Sequence, residues 1–110
     1  MAARSSFKCV ALKLGGKSHV VIFDDCDLKN AVKWTVEGLC NFSGQVCVAA
    51  SRVFVQEDEK VYMKEYVNAL QVSAGKVGNP TAVGTEFGPL ADKAQFDRIS
   101  GFVEPAQKGP

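Results

Sequence analysis

Val20-Val21-Ile22-Phe23 is followed, after Asp24-Asp25-Cys26, by Asp27 and then by Leu28, Ala31, Val32, Thr35, Val36 and Leu39. The first four residues form an uninterrupted β-branched and aromatic run, which predicts a strand buried on both faces. The later residues recur every three or four positions and predict a helix with one apolar stripe. Asp27 stands where an N-cap is needed, because its short carboxylate can accept from the free amides of the first turn. Gly38 weakens this helix near its end. Further on, Val53-Phe54-Val55 predicts a second buried strand. Strand, helix, strand in that order argues for an α/β layered sheet.

Outward from this unit, Glu57-Asp58-Glu59 place negative charge where the next helix begins, which its dipole favours. That helix carries Tyr62, Tyr66, Ala69 and Leu70 on one face and fades by Gly75. Residues 76–90 are rich in Gly, Pro and Thr and predict a loop. Asp92 opens a last helix, with Phe96, Ile99 and Val103 expected to face inward and Pro105 expected to end it. Upstream, Cys9 to Leu14 alternates and stops at Gly15-Gly16, the pattern of a short strand breaking into a turn.

At 110 residues the chain is one domain at most, able to bury roughly two-thirds of its unfolded surface. A net charge of +1, with Lys and Arg scattered, gives no electrostatic case for nucleic acid or an anionic membrane as partner. No apolar run approaches the length of a membrane span. Met1-Ala2-Ala3-Arg4 leads into no apolar signal core, so a cytoplasmic location is the default expectation.

The four cysteines are Cys9, Cys26, Cys40 and Cys47, and none forms a C-x-x-C pair. With the lone His19 they supply no metal-ligand pattern, and no metal is expected. Cys9 and Cys26 lie in or beside apolar runs and are expected to pack as small hydrophobes, with Cys40. Cys47 differs. In Asn41-Phe42-Ser43-Gly44-Gln45-Val46-Cys47-Val48-Ala49-Ala50-Ser51-Arg52 it follows a Gly-Gln turn and precedes small residues, so its thiol can meet a substrate. A loop thiol without function is the alternative reading of the same residue.

Taken in order, several segments resemble the aldehyde dehydrogenase superfamily: Leu12-Lys13-Leu14-Gly15-Gly16-Lys17-Ser18, Phe23-Asp24-Asp25-Cys26-Asp27-Leu28, Gly44-Gln45-Val46-Cys47, Arg52-Val53-Phe54-Val55-Gln56, Val77-Gly78-Asn79-Pro80, and Gly88-Pro89-Leu90 with Gln95-Phe96-Asp97. The resemblance covers essentially the whole chain. It implies an α/β fold, a partial three-layer αβα aldehyde dehydrogenase catalytic domain with an incomplete sheet. Residues up to about 14 would end the cofactor-binding part and residues from about 15 to 110 would begin the catalytic part. Both ends resemble interior positions of a longer enzyme, so a fragment is expected.

The resemblance also implies a chemistry: oxidation of an aldehyde to a carboxylic acid with NAD or NADP, through a cysteine thiohemiacetal and a thioester. Cys47 falls at the nucleophile's position. Leu14 and Gly15 fall where the family lays the nicotinamide, although a tight strand-to-loop turn accounts for the glycines equally well. Lys13 falls at the general-base position, where the family carries glutamate, so the charge is reversed there. His19, where the family usually has proline, and Pro105, inside a helix that the family keeps whole, are further departures. The family's Gly-rich cofactor loop, its oxyanion asparagine and its second glutamate have no counterpart in these residues. The expected partners are an aldehyde substrate and, as in complete relatives, further copies in a homo-oligomer, with activity of this chain alone not expected. The rival reading is a non-catalytic chain acting only as an interaction or antigenic fragment.

Overall fold

The structure, a computed structural model, describes residues 9–56, 59–107 and 109. Its elements run β1 (His19–Ile22), α1 (Leu28–Cys40), a 3-10 turn (Asn41–Gly44), β2 (Arg52–Val55), α2 (Glu59–Ala74) and α3 (Lys93–Gln107). The two strands are parallel and pair in register from His19 with Arg52 to Ile22 with Val55. With α1 between them they form a β-α-β unit, the arrangement in which parallel strands need a crossover.

Local signals set α1. The Asp27 carboxylate accepts from the Asn30 backbone N–H at 3.0 Å and from the Asn30 side-chain amide at 3.2 Å, capping the first turn. Val32, Thr35 and Val36 are its buried face, within the predicted stripe. This face meets Ile22 from β1 and Tyr62 from α2, and Val20, Leu28, Val53, Val55, Ala69 and Leu70 pack around them. Tyr62 and Tyr66, one turn apart on α2, stack with centroids 5.6 Å apart. Gly38 has a use beyond loosening the helix end: a Cβ there would lie 3.3 Å from the Ala50 Cβ, and the Gly38 carbonyl accepts from the Ala50 N–H at 3.0 Å. The chain entering β2 thus runs against α1 with only small residues between them.

Several expectations are corrected. Cys9 to Leu14 forms no strand, because β1 and β2 pair with each other and the sheet has no third member among the described residues. Val21 and Phe54 are half exposed, so each strand is buried on one face only. Phe96, Ile99 and Val103 do not face inward. All three are exposed and α3 buries no residue, since no described element covers its apolar stripe. Pro105 does not end α3, which reaches Gln107. Proline at 105 removes only the amide that would bond the Gly101 carbonyl, and the helix runs just two residues further. Cys9 and Cys26 are exposed and only Cys40 is half-buried. Of the acidic run expected ahead of α2, residues 57 and 58 lie outside the described residues.

Candidate active site

The turn that carries Cys47 begins where α1 stops. Asn41 leaves the helix with its N–H still bonded to the Glu37 carbonyl, and the next three residues turn left-handed. Phe42, Ser43 and Gly44 have φ of 50°, 57° and 74°. Only glycine takes this region without steric cost, so Gly44 is suited to it and the two side-chain-bearing residues are not. The run leads out of α1 to Gln45 and Cys47, both exposed, with Val46 half-buried between them.

Hydrogen bonds then tie the turn to two other segments, Ser18 and residues 88–91. Ser18 Oγ donates to the Cys47 carbonyl at 3.2 Å, joining the segment before β1 to the cysteine itself. The Ser18 carbonyl accepts from the Arg52 N–H at 3.2 Å, where β2 begins. Ser43 Oγ donates to the Gly88 carbonyl at 2.7 Å, and the Ala91 N–H donates to Gln45 Oε1 at 2.8 Å. Gln45 Nε2 in turn donates to the Phe42 carbonyl at 3.1 Å. After the cysteine, the Ala49 N–H donates to the Val46 carbonyl at 3.0 Å, and buried Ala49 and Ala50 lead into β2. The Cys47 N–H meets no acceptor among the described residues.

Lys13, Leu14 and Gly15 are exposed and lie upstream of Ser18. Five residues of extended chain span at most roughly 18 Å, so the Ser18 bond keeps this segment within that reach of the cysteine turn. Among the described residues Lys13 makes no ion pair. A Cβ added at Gly15 or Gly16 would meet nothing within 4 Å, which leaves open faces along this stretch of backbone.

Cys47 does not line the groove beside the core. An open groove of about 1020 Å³ runs between α1 and α2, lined among others by Val32, Val36, Cys40, Val61, Ala69 and Phe87. It is an apolar cleft beside the core, and burial there pushes the Cys40 thiol pKa up, away from the thiolate form. Among the described residues no helix is long and apolar enough to cross a membrane. Sequence reading missed the two serines, Ser18 and Ser43, because a single serine in a loop carries no periodic signal.

The aldehyde dehydrogenase family profile matches residues 1–109. The chain is 42% identical over 104 residues to an aldehyde dehydrogenase of Agaricus bisporus, covering 94% of this chain and 20% of that protein. It is 41% identical over 109 residues to aldehyde dehydrogenase 1A1 of Bos taurus, covering 97% of this chain and 21% of the relative. Among solved structures it is similar to betaine aldehyde dehydrogenase from Staphylococcus aureus in complex with NAD+, with a TM-score of 0.76 and 32% identity over 86% of this chain and 19% of that one. A similar match is to HpcC from Thermus thermophilus, with a TM-score of 0.77, 34% identity, and coverage of 88% and 19%. The chain therefore spans about a fifth of the length of the relatives it matches. Its parallel β-α-β unit, its left-handed cysteine turn and these matches lead to one conclusion: the chain belongs to the aldehyde dehydrogenase family.

Proposed function

We propose that this chain carries the nucleophile of an NAD(P)-dependent aldehyde dehydrogenase, and that residues 1–14 and 15–110 belong to its cofactor-binding and catalytic parts. The observation that supports this best is the presentation of Cys47: an exposed thiol at the end of a left-handed turn that hydrogen bonds tie to two other segments. In this reading the thiolate attacks the aldehyde carbonyl and forms a thiohemiacetal. The Cys47 N–H, with no acceptor of its own among the described residues, faces the developing oxyanion. NAD or NADP, when bound, supplies the hydride acceptor. Gly15 presents an open backbone face, beside Leu14, on which its flat ring would rest. The thioester left on Cys47 is then opened by water, and Lys13 occupies the position from which a base would activate it.

A chimera tests the proposal. The matching segment of the Agaricus bisporus aldehyde dehydrogenase is replaced by this chain, with and without Lys13→Glu. The Lys13→Glu chimera is expected to reduce NAD or NADP in the presence of an aldehyde, and Cys47→Ala to abolish that reduction. A folded Lys13→Glu chimera with no turnover, or turnover that survives Cys47→Ala, would overturn it.

A further inference from the structure

Two side chains of the cysteine turn reach 45 and 46 residues along the sequence to one short segment: Ser43 to the Gly88 carbonyl and Gln45 to the Ala91 N–H. They do so at the least favourable stretch of backbone in the described chain, where Phe42 and Ser43 hold φ of 50° and 57°. Side-chain-bearing residues persist in that region only when their surroundings over-determine it. Packing does not provide this, since Phe42 is 80% exposed. The long-range hydrogen bonds remain. Gln45 is the central one, because its amide uses both ends: the oxygen accepts from Ala91 at 2.8 Å and the nitrogen donates to Phe42 O at 3.1 Å.

We propose that Gly88–Ala91 is a strap that sets the conformation of the cysteine turn, with Gln45 as the positioning residue for Cys47 and Ser43 as the second tie. Its catalytic meaning rests on the reading of Cys47 as nucleophile. Ala91 immediately precedes Asp92, which caps α3 by accepting from the Gln95 N–H at 2.7 Å. The strap therefore joins the presentation of the thiol to the start of α3. A displacement of that helix pulls on Gln45 and relaxes the left-handed run.

Amide hydrogen exchange and 15N relaxation on the whole chain test this in the parent, Gln45→Leu, Gln45→Glu and Ser43→Ala. In Gln45→Leu the Ala91 amide is expected to exchange at least tenfold faster, and residues 43–47 to lose order. In Gln45→Glu the carboxylate still accepts from Ala91, so exchange there stays near the parent rate. Ser43→Ala loosens residues 43–47 while leaving Ala91 protected. The urea midpoint should hold in all three, because Gln45 is exposed and Ser43 lies outside the core. Equal Ala91 exchange in the parent, Gln45→Leu and Gln45→Glu, or a turn as ordered in Gln45→Leu and Ser43→Ala as in the parent, would overturn the strap. Iodoacetamide labelling of the parent examines the other reading separately. Cys47 labelled no faster than exposed Cys9 would count against the nucleophile and leave the strap standing.

Discussion

At the scale of single residues, Lys13 decides which step of the proposed reaction suffers. Opening a thioester needs a group that takes a proton from attacking water, and a protonated lysine cannot accept one; losing such a base costs about two to four orders of magnitude in rate. Thiol attack makes no such demand on position 13. The chimera carrying the native Lys13 should therefore release close to one equivalent of NADH or NADPH in a burst and then stall, with the acyl group on Cys47 visible by mass spectrometry. Steady turnover at the rate of the Lys13→Glu chimera would show that lysine serves as base, and the absence of any burst would place the damage before the thioester. The position of the candidate thiol was legible in the sequence, because Gly44-Gln45 and the small residues after Cys47 are local signals. What holds it was not. Ser18, Ser43 and the far end of Gln45 act across 29 to 46 residues, a distance that no local pattern encodes. Nor was the exposure of Cys9 and Cys26 legible, because an apolar run shows a tendency to be buried and not the presence of something to bury it.

At the scale of elements, the same distinction separates α1 from α3. Both have an acidic cap and an apolar stripe, and both form. The α1 stripe is covered by β1, β2 and α2, whereas that of α3 is open. Within the covered core one polar atom is out of place. The Tyr62 hydroxyl is buried without a hydrogen-bond partner. The Thr35 hydroxyl, which would lower the Tyr62 pKa, donates its proton to the Ala31 carbonyl at 2.7 Å, and the Tyr62 hydroxyl makes no hydrogen bond with it. A buried unsatisfied hydroxyl costs about 1–3 kcal/mol. Tyr62→Phe is therefore expected to leave stability unchanged or raise it by up to about 1 kcal/mol, read from urea unfolding at pH 7. Burial also raises the Tyr62 pKa above its ordinary value of 10.0, with the neighbouring Cys26 adding to the shift, and burial and then Tyr62 raise that of Tyr66. The unfolded chain thus ionises first. The corresponding stability is complete below pH 10 and is lost as pH rises through the folded values. Tyr62→Phe should show a smaller loss above about pH 10 than the parent, with the Tyr66 part retained. A midpoint that falls in Tyr62→Phe at pH 7 would mean that the hydroxyl is bonded after all.

At the scale of the whole molecule, the exposed area is the dominant fact. A compact protein of 11.8 kDa exposes roughly 5900 Å², whereas this chain exposes 9195 Å². Its radius of gyration is 17.9 Å, against about 13 Å for a compact chain of this length. The excess is roughly 3300 Å². Much of it is apolar: Phe96, Ile99, Phe102 and Val103 along α3, and Val21 and Phe54 on the open face of the strands. Large apolar side chains left facing water in such numbers favour association. The purified chain is therefore expected to gain apparent mass with concentration in sedimentation velocity and to enhance the fluorescence of an apolar dye. Because α3 contributes nothing buried to the core, Phe96→Asp with Phe102→Asp should reduce both effects while leaving the urea transition of the β1-α1-β2-α2 core in place. A parent that stays monomeric and dye-silent at every concentration would show that α3 finds cover within the chain in solution. Association that persists undiminished in the double variant would move the sticky surface to the strands, where Val21→Lys and Phe54→Lys would be the variants that abolish it.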